Sequence, residues 1–187
     1  MSSILKVDEI QNTSGTTGLT IDNNGVVSTP NTVMYDIYTL KSIFDIDNGT
    51  ITDWGKPSVP LYVNNGIGDL MSISAGIFTF PKTGVYKVSY FATISNSAGD
   101  AQTGVSLYGT ENNSTYARVT YLGSGNTSAG NEDLSIASGE ALLNISDTAN
   151  QKVSLKLESV QGGSFVSGDA SQVRTSISFQ WLSPAQT

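Results

Sequence analysis

The 187-residue chain contains no cysteine and no histidine. Without cysteine, neither a disulfide nor a thiolate metal site is available. Without histidine, the commonest general base, the Ser-His-Asp arrangement and most transition-metal sites are gone. Charge is sparse too: 13% of residues are Asp, Glu, Lys or Arg, and nine basic residues against 16 acidic ones leave a net charge of −7. The basic residues are scattered singly, whereas a nucleic-acid binder needs a clustered basic footprint. No apolar run approaches the length of a membrane span, so no membrane insertion is expected. The opening Met1–Glu9 has no apolar stretch of the secretory type, so no signal peptide is expected. No segment carries a convincing helical period, and helix is expected to be nearly absent.

The few arrangements that could carry chemistry read as turns. Asp45-Ile-Asp-Asn-Gly49 has the acidity of a calcium loop but not its glycine at the sixth position or glutamate at the twelfth. Glu132 and Asp133 are adjacent, so on a strand they would project apart; they read as a solvated loop. Gly162-Gly163 follows a strand and opens no helix, which fails the context of a phosphate cradle. No catalytic residue, cofactor or metal is expected, and the chain does not read as an enzyme. The Asn-x-Ser/Thr triplets read as turn chemistry.

What the chain does have is alternation. From Gly76 to Ile94 it reads G-I-F-T-F-P-K-T-G-V-Y-K-V-S-Y-F-A-T-I. A short apolar run (Ile77, Phe78, Phe80) meets a turn set by Pro81 and Gly84. Beyond it, Tyr86, Val88, Tyr90, Ala92 and Ile94 fall on one face and Val85, Lys87, Ser89, Phe91 and Thr93 on the other, the period of a half-buried strand. Further strands are expected at Val33–Leu40, Leu70–Ile73, Gln102–Tyr108 and Tyr116–Leu122, the last two joined by the turn Thr110–Ser114. A strand–turn–strand unit is expected over Ser138–Leu157, and a closing strand over Arg174–Leu182. In the closing strand, Val173, Thr175, Ile177, Phe179 and Trp181 share the core face. Gly123–Asn131 is expected to be an irregular rim loop. Trp54 and Tyr62 are candidate rim anchors or core caps.

The F-x-F-P-x-x-G-x-Y-x-x-x-Y arrangement resembles the turn into the central strand of the tumour necrosis factor and complement globular-head jelly rolls. The Ser138–Leu157 unit and the aromatic last strand resemble the same families in the same order, over roughly residues 32 to 184. The resemblance implies an all-β fold, an antiparallel jelly-roll β-sandwich, that packs as three copies around an axis. It also implies that Phe91, with Tyr35 and Gln180, lies at the contact between protomers of a homotrimer.

Residues 1–31 read as a separate arm and 32–187 as the jelly-roll domain. Ile4, Leu5, Val7, Ile10, Leu19 and Ile21 sit in short strands broken by Gly and Asn, too small to bury a core of their own. Ser2 to Asp22, S-S-I-L-K-V-D-E-I-Q-N-T-S-G-T-T-G-L-T-I-D, resembles a recurrent opening of marine-phage virion proteins. That resemblance implies attachment to a particle through those six apolar residues, with phage capsid or tail proteins as partners. Capsid decoration or head fibre is the favoured setting, because the chain has no long shaft. A tail-fibre or receptor-binding component that meets a host-surface glycan or protein is the alternative, as is a soluble trimeric carbohydrate- or protein-binding module.

Overall fold

The computed structural model describes residues 9–11, 17–21, 27–28, 33–60, 66–125 and 133–187. The chain divides into two compact units, Met1–Thr32 and Val33–Thr187. The first is a three-stranded antiparallel sheet of β1 (Glu9–Gln11), β2 (Thr17–Ile21) and β3 (Val27–Ser28), in which Ile10 pairs with Leu19 and Ile21 with Val27. Residues 22–26, between β2 and β3 in sequence, lie outside the described residues. Of the arm's six apolar candidates, Ile10, Leu19 and Ile21 occupy these strands, while Ile4, Leu5 and Val7 lie outside the described residues.

The second unit is an antiparallel jelly-roll sandwich, with no helix among the described residues. One sheet runs β11 (Tyr116–Ser124), β10 (Thr103–Thr110), β13 (Lys152–Glu158), β8 (Ile77–Thr79), β7 (Ser72–Ser74), with β5 (Gly49–Thr50) added to β13. The other runs β12 (Asp133–Ile145), β9 (Gly84–Asn96), β15 (Ser176–Ser183), β4 (Met34–Leu40), β6 (Trp54–Gly55), with β14 (Phe165–Val166) added to β9. They are called here the β10 sheet and the β9 sheet.

Alternation along β9 sets the interior. Tyr86, Val88, Tyr90, Ala92 and Ile94 are all buried, and Val85, Lys87, Ser89, Phe91 and Thr93 are all half-buried on the opposite face. Phe78, Phe80 and Phe179 meet this core, with ring centroids 4.7 Å apart for Phe80–Tyr86 and 5.1 Å for Phe78–Phe179. Such tilted contacts suit the aromatic quadrupole. Val153, Leu155 and Leu157 supply the β10 sheet's contribution to the same core. The need for Gly84 comes from packing as well as from the turn: a Cβ there would stand 1.9 Å from Nε1 of Trp181. That indole nitrogen instead donates to the Thr83 carbonyl at 3.2 Å and closes the Pro81 turn.

Several expectations shift. The strand expected from Ser138 begins at Asp133, so Asp133 is an exposed strand residue and not part of a loop; Glu132 lies outside the described residues. Gly123 and Ser124 belong to β11, because Gly123 pairs with Gly104 and continues the ladder; residues 126–131 of the expected rim loop are outside the described set. The strand expected at Leu70–Ile73 sits at Ser72–Ser74, since Met71 spends its amide on the buried carboxylate of Asp36 at 3.0 Å. Trp54 caps the core: its ring lies 5.9 Å from that of Phe78 and its Nε1 donates to the Ile51 carbonyl at 2.8 Å. Tyr62 is outside the described residues.

Candidate functional site

A functional surface is sought on what the sandwich leaves outside, since its core is filled by packed aromatic and aliphatic side chains. The strand order of the β9 sheet places β9 and β15 at its centre, and their outward residues form the middle of its outer face. Register sets the neighbours: Phe91 stands opposite Ser138 of β12 on one side and Ser176 of β15 on the other. Ser178 pairs with both Ser89 and Ile37, and Gln180 with both Lys87 and Tyr35. Phe91, Tyr35 and Gln180 therefore lie on one face. Phe91 and Tyr35 are half-buried and Gln180 is exposed.

Serines on both flanks of Phe91 are too short to cover its ring. The result is a shallow depression of about 460 Å³ lined by Tyr35, Ile37, Ser89, Phe91, Ser176 and Ser178, with Ser138, Gly139 and Glu140 of β12 along one side. Glu140 is the one charged side chain of the lining, and Lys87 Nζ neutralises it at 2.7 Å from Oε2. The rest of the surface is cheap to desolvate, because only this paired charge must be stripped of water when it is covered.

Sequence reasoning did not find a second apolar patch, at the edge of the same sheet. Leu134, Ile136 and Leu142 point outward from β12, exposed by 65%, 77% and 67%. The strand carries apolar residues on both faces, with Ala137, Ala141, Leu143 and Ile145 inward, so its pattern alone did not show which set faced water. Exposed aliphatics clustered on an edge strand mark an interaction surface or an aggregation hazard.

The buried polar groups are structural. Asp100 accepts Thr103 Oγ1 (2.5 Å), Ser164 Oγ and the amides of Gln102 (3.0 Å) and Gln161 (3.1 Å), joining the segments after β9 and β13. Burial raises its pKa, but these hydrogen bonds to the charged form outweigh burial and hold it below the ordinary 3.8. Burial pushes the hydroxyls of Tyr38 and Tyr86 up to about 12, and they donate to the carbonyls of Met71 and Lys82, each at 2.8 Å. Among the described residues, no three His, Cys, Asp or Glu side chains converge as a metal site would require.

No protein-family model matches the chain, and no curated protein matches it. Solved structures do. The sandwich is similar to the Eiger tumour necrosis factor of S. frugiperda at 14% identity and a TM-score of 0.62, over 84% of this chain and 96% of that one. It is similar to murine APRIL at 11% identity and a TM-score of 0.56, over 80% of this chain and 99% of that one. At such identities the likeness establishes the fold, a jelly roll of tumour necrosis factor type.

Proposed function

We propose that the chain is a homotrimeric, non-enzymatic structural module of a phage particle, a capsid decoration or head fibre held by its N-terminal arm. The observation that carries self-association is the pair of unlike patches on the β9 sheet. A ring of three copies needs a heterologous contact, in which each copy offers two different surfaces. The weakly charged centre around Phe91 and the aliphatic margin on β12 are two such surfaces, and a ring would lay one copy's margin on the next copy's centre. The fold likeness and the Gly76–Ile94 motif support three as the number. Particle attachment rests on the resemblance of Ser2–Asp22 to virion proteins, and three linked arms would raise effective affinity for a repeating shell.

Light scattering at micromolar concentration should give a trimer mass; a monomer mass would overturn the assembly. Protein lacking residues 1–30 should remain a trimer yet fail to copurify with particles. Full occupancy by the truncated protein would remove the anchoring role and leave the second reading, a soluble trimeric binding module, which the likeness to tumour necrosis factor-type domains favours.

A further inference from the structure

The outer face of the β10 sheet gathers cations in a chain that has few. Arg118, Lys152 and Lys156 are three of the nine basic residues. Register puts them on one side: Arg118 pairs with Tyr108, Lys152 with Thr110 and Lys156 with Ser106. Arg118 is tied to Glu158 at 2.7 Å, and Glu158 also accepts Tyr108 Oη at 2.6 Å and Ser106 Oγ. Lys152 and Lys156, by contrast, have no carboxylate within ion-pair distance among the described residues. Two cations of one strand thus stand without a carboxylate partner among the described residues.

Aromatic rings lie between these charges. The Lys156 ammonium is 4.6 Å from the Tyr108 ring centroid. Tyr121 lies against a cross-strand glycine pair: a Cβ on Gly104 would meet its ring at 2.3 Å, and one on Gly123 at 2.8 Å. Glycine weakens a strand interior, and here the pair makes room for a ring laid close to the backbone. Gln102 Nε2 holds the ring's hydroxyl at 2.5 Å, and the Arg118 guanidinium lies 5.1 Å from its centroid.

We infer that this face binds an acidic oligosaccharide whose carboxylates are separated by neutral sugars. The tyrosines, each with a cation over its ring, fix those cations in place and offer ring edges to the C–H groups of pyranose rings. Lys152 and Lys156 lie four residues apart on one strand, about 13 Å, which suits spaced carboxylates better than adjacent ones. Arg118, half exposed, and Gln102 offer hydrogen bonds to hydroxyls. A dense polyanion such as nucleic acid is disfavoured by the net charge of −7. The site uses the sheet opposite the one proposed for self-association and stands independently of that reading.

The test is calorimetry on the full chain with a hyaluronan hexasaccharide, which carries one carboxylate on every second sugar, and with neutral maltohexaose. The hexasaccharide should bind, more weakly as salt rises, and maltohexaose should bind at least ten-fold more weakly. The double substitution Lys152→Gln, Lys156→Gln lies on the surface and should weaken hexasaccharide binding at least ten-fold, while Arg174→Gln, distant from this face, should leave it unchanged. The inference is overturned if millimolar hexasaccharide gives no binding, if maltohexaose binds equally, or if the double variant keeps its affinity. An equal loss in Arg174→Gln, or tighter binding of single-stranded oligothymidylate, also overturns it.

Discussion

The two sheets share one interior and carry opposite exteriors. Both inner faces are filled by aromatic and aliphatic side chains that meet as a single core. Outside, the centre of the β9 sheet is lined by serines, Phe91, Tyr35 and Ile37 with the single Lys87–Glu140 ion pair beside them, while the β10 sheet carries Arg118, Lys152 and Lys156 around a buried Glu158 among tyrosines. Two antiparallel strands with the same inward alternation can thus differ entirely outward, since the pleat separates what folding requires from what a partner reads.

The largest expected effect tests the shared interior. Tyr86→Ala removes a fully buried ring packed on Phe80 and should cost about 3–5 kcal/mol in chemical denaturation. Its neighbour Lys87, on the outer face and in a surface ion pair with an exposed Glu140, should cost less than about 1 kcal/mol when changed to alanine. Equal losses at the two positions would mean that the register of β9, and with it the division of faces, is wrong.

Next comes the polar clasp that joins the segments following β9 and β13. The Asp100 carboxylate is held below its ordinary 3.8, so its contribution is present above that value and disappears as pH falls through the still lower folded value. Thermal stability of the native chain should therefore fall on acidification below about pH 4. Asp100→Asn should melt lower at neutral pH and show a flatter acid slope. An unchanged slope would mean that Asp100 is not the group that titrates.

A smaller effect on stability, and a larger one on assembly, is expected at the β9 sheet's exterior. Phe91→Asp should shift sedimentation from trimer towards monomer while circular dichroism keeps its β signature, because the ring is outside the core. Retention of the trimer would remove Phe91 from the contact. The smallest stability change belongs to Ile136→Ser on the β12 margin. With 77% of the side chain already in water, the melt should move by less than about 0.5 kcal/mol equivalent. Weaker self-association is still expected there, and an unaltered dissociation constant would separate this margin from the interface.

Much of this was legible in the sequence because strand alternation is a local property. Tyr86 to Ile94 and Ile177 to Trp181 each announced their faces by period alone, and Pro81 with Gly84 located the turn. The placement of Phe91 opposite Lys87's neighbours followed from the same count. Less legible was β12, where Leu134 and Ile136 alternate as well as Ala137 and Leu143 do, so that only the partner strand could choose the inward set. Gly123 read as loop because a glycine's strand role depends on which ring covers it, and Tyr121 covers it from two residues away.

By itself, then, the amino-acid order determined an all-β chain, the core face of its longest strands, and the absence of thiol and imidazole chemistry, since each follows from residue type or from spacing along a single strand. Only the tertiary structure decided that Phe91, Tyr35 and Gln180 share a face, that Asp100 is satisfied by donors from two segments, and that Lys152, Lys156, Arg118 and two tyrosines gather on the opposite sheet. Those outcomes depend on which strands lie side by side and in what register. Strand pairing is set by how the whole core closes, a condition that no single stretch of sequence contains.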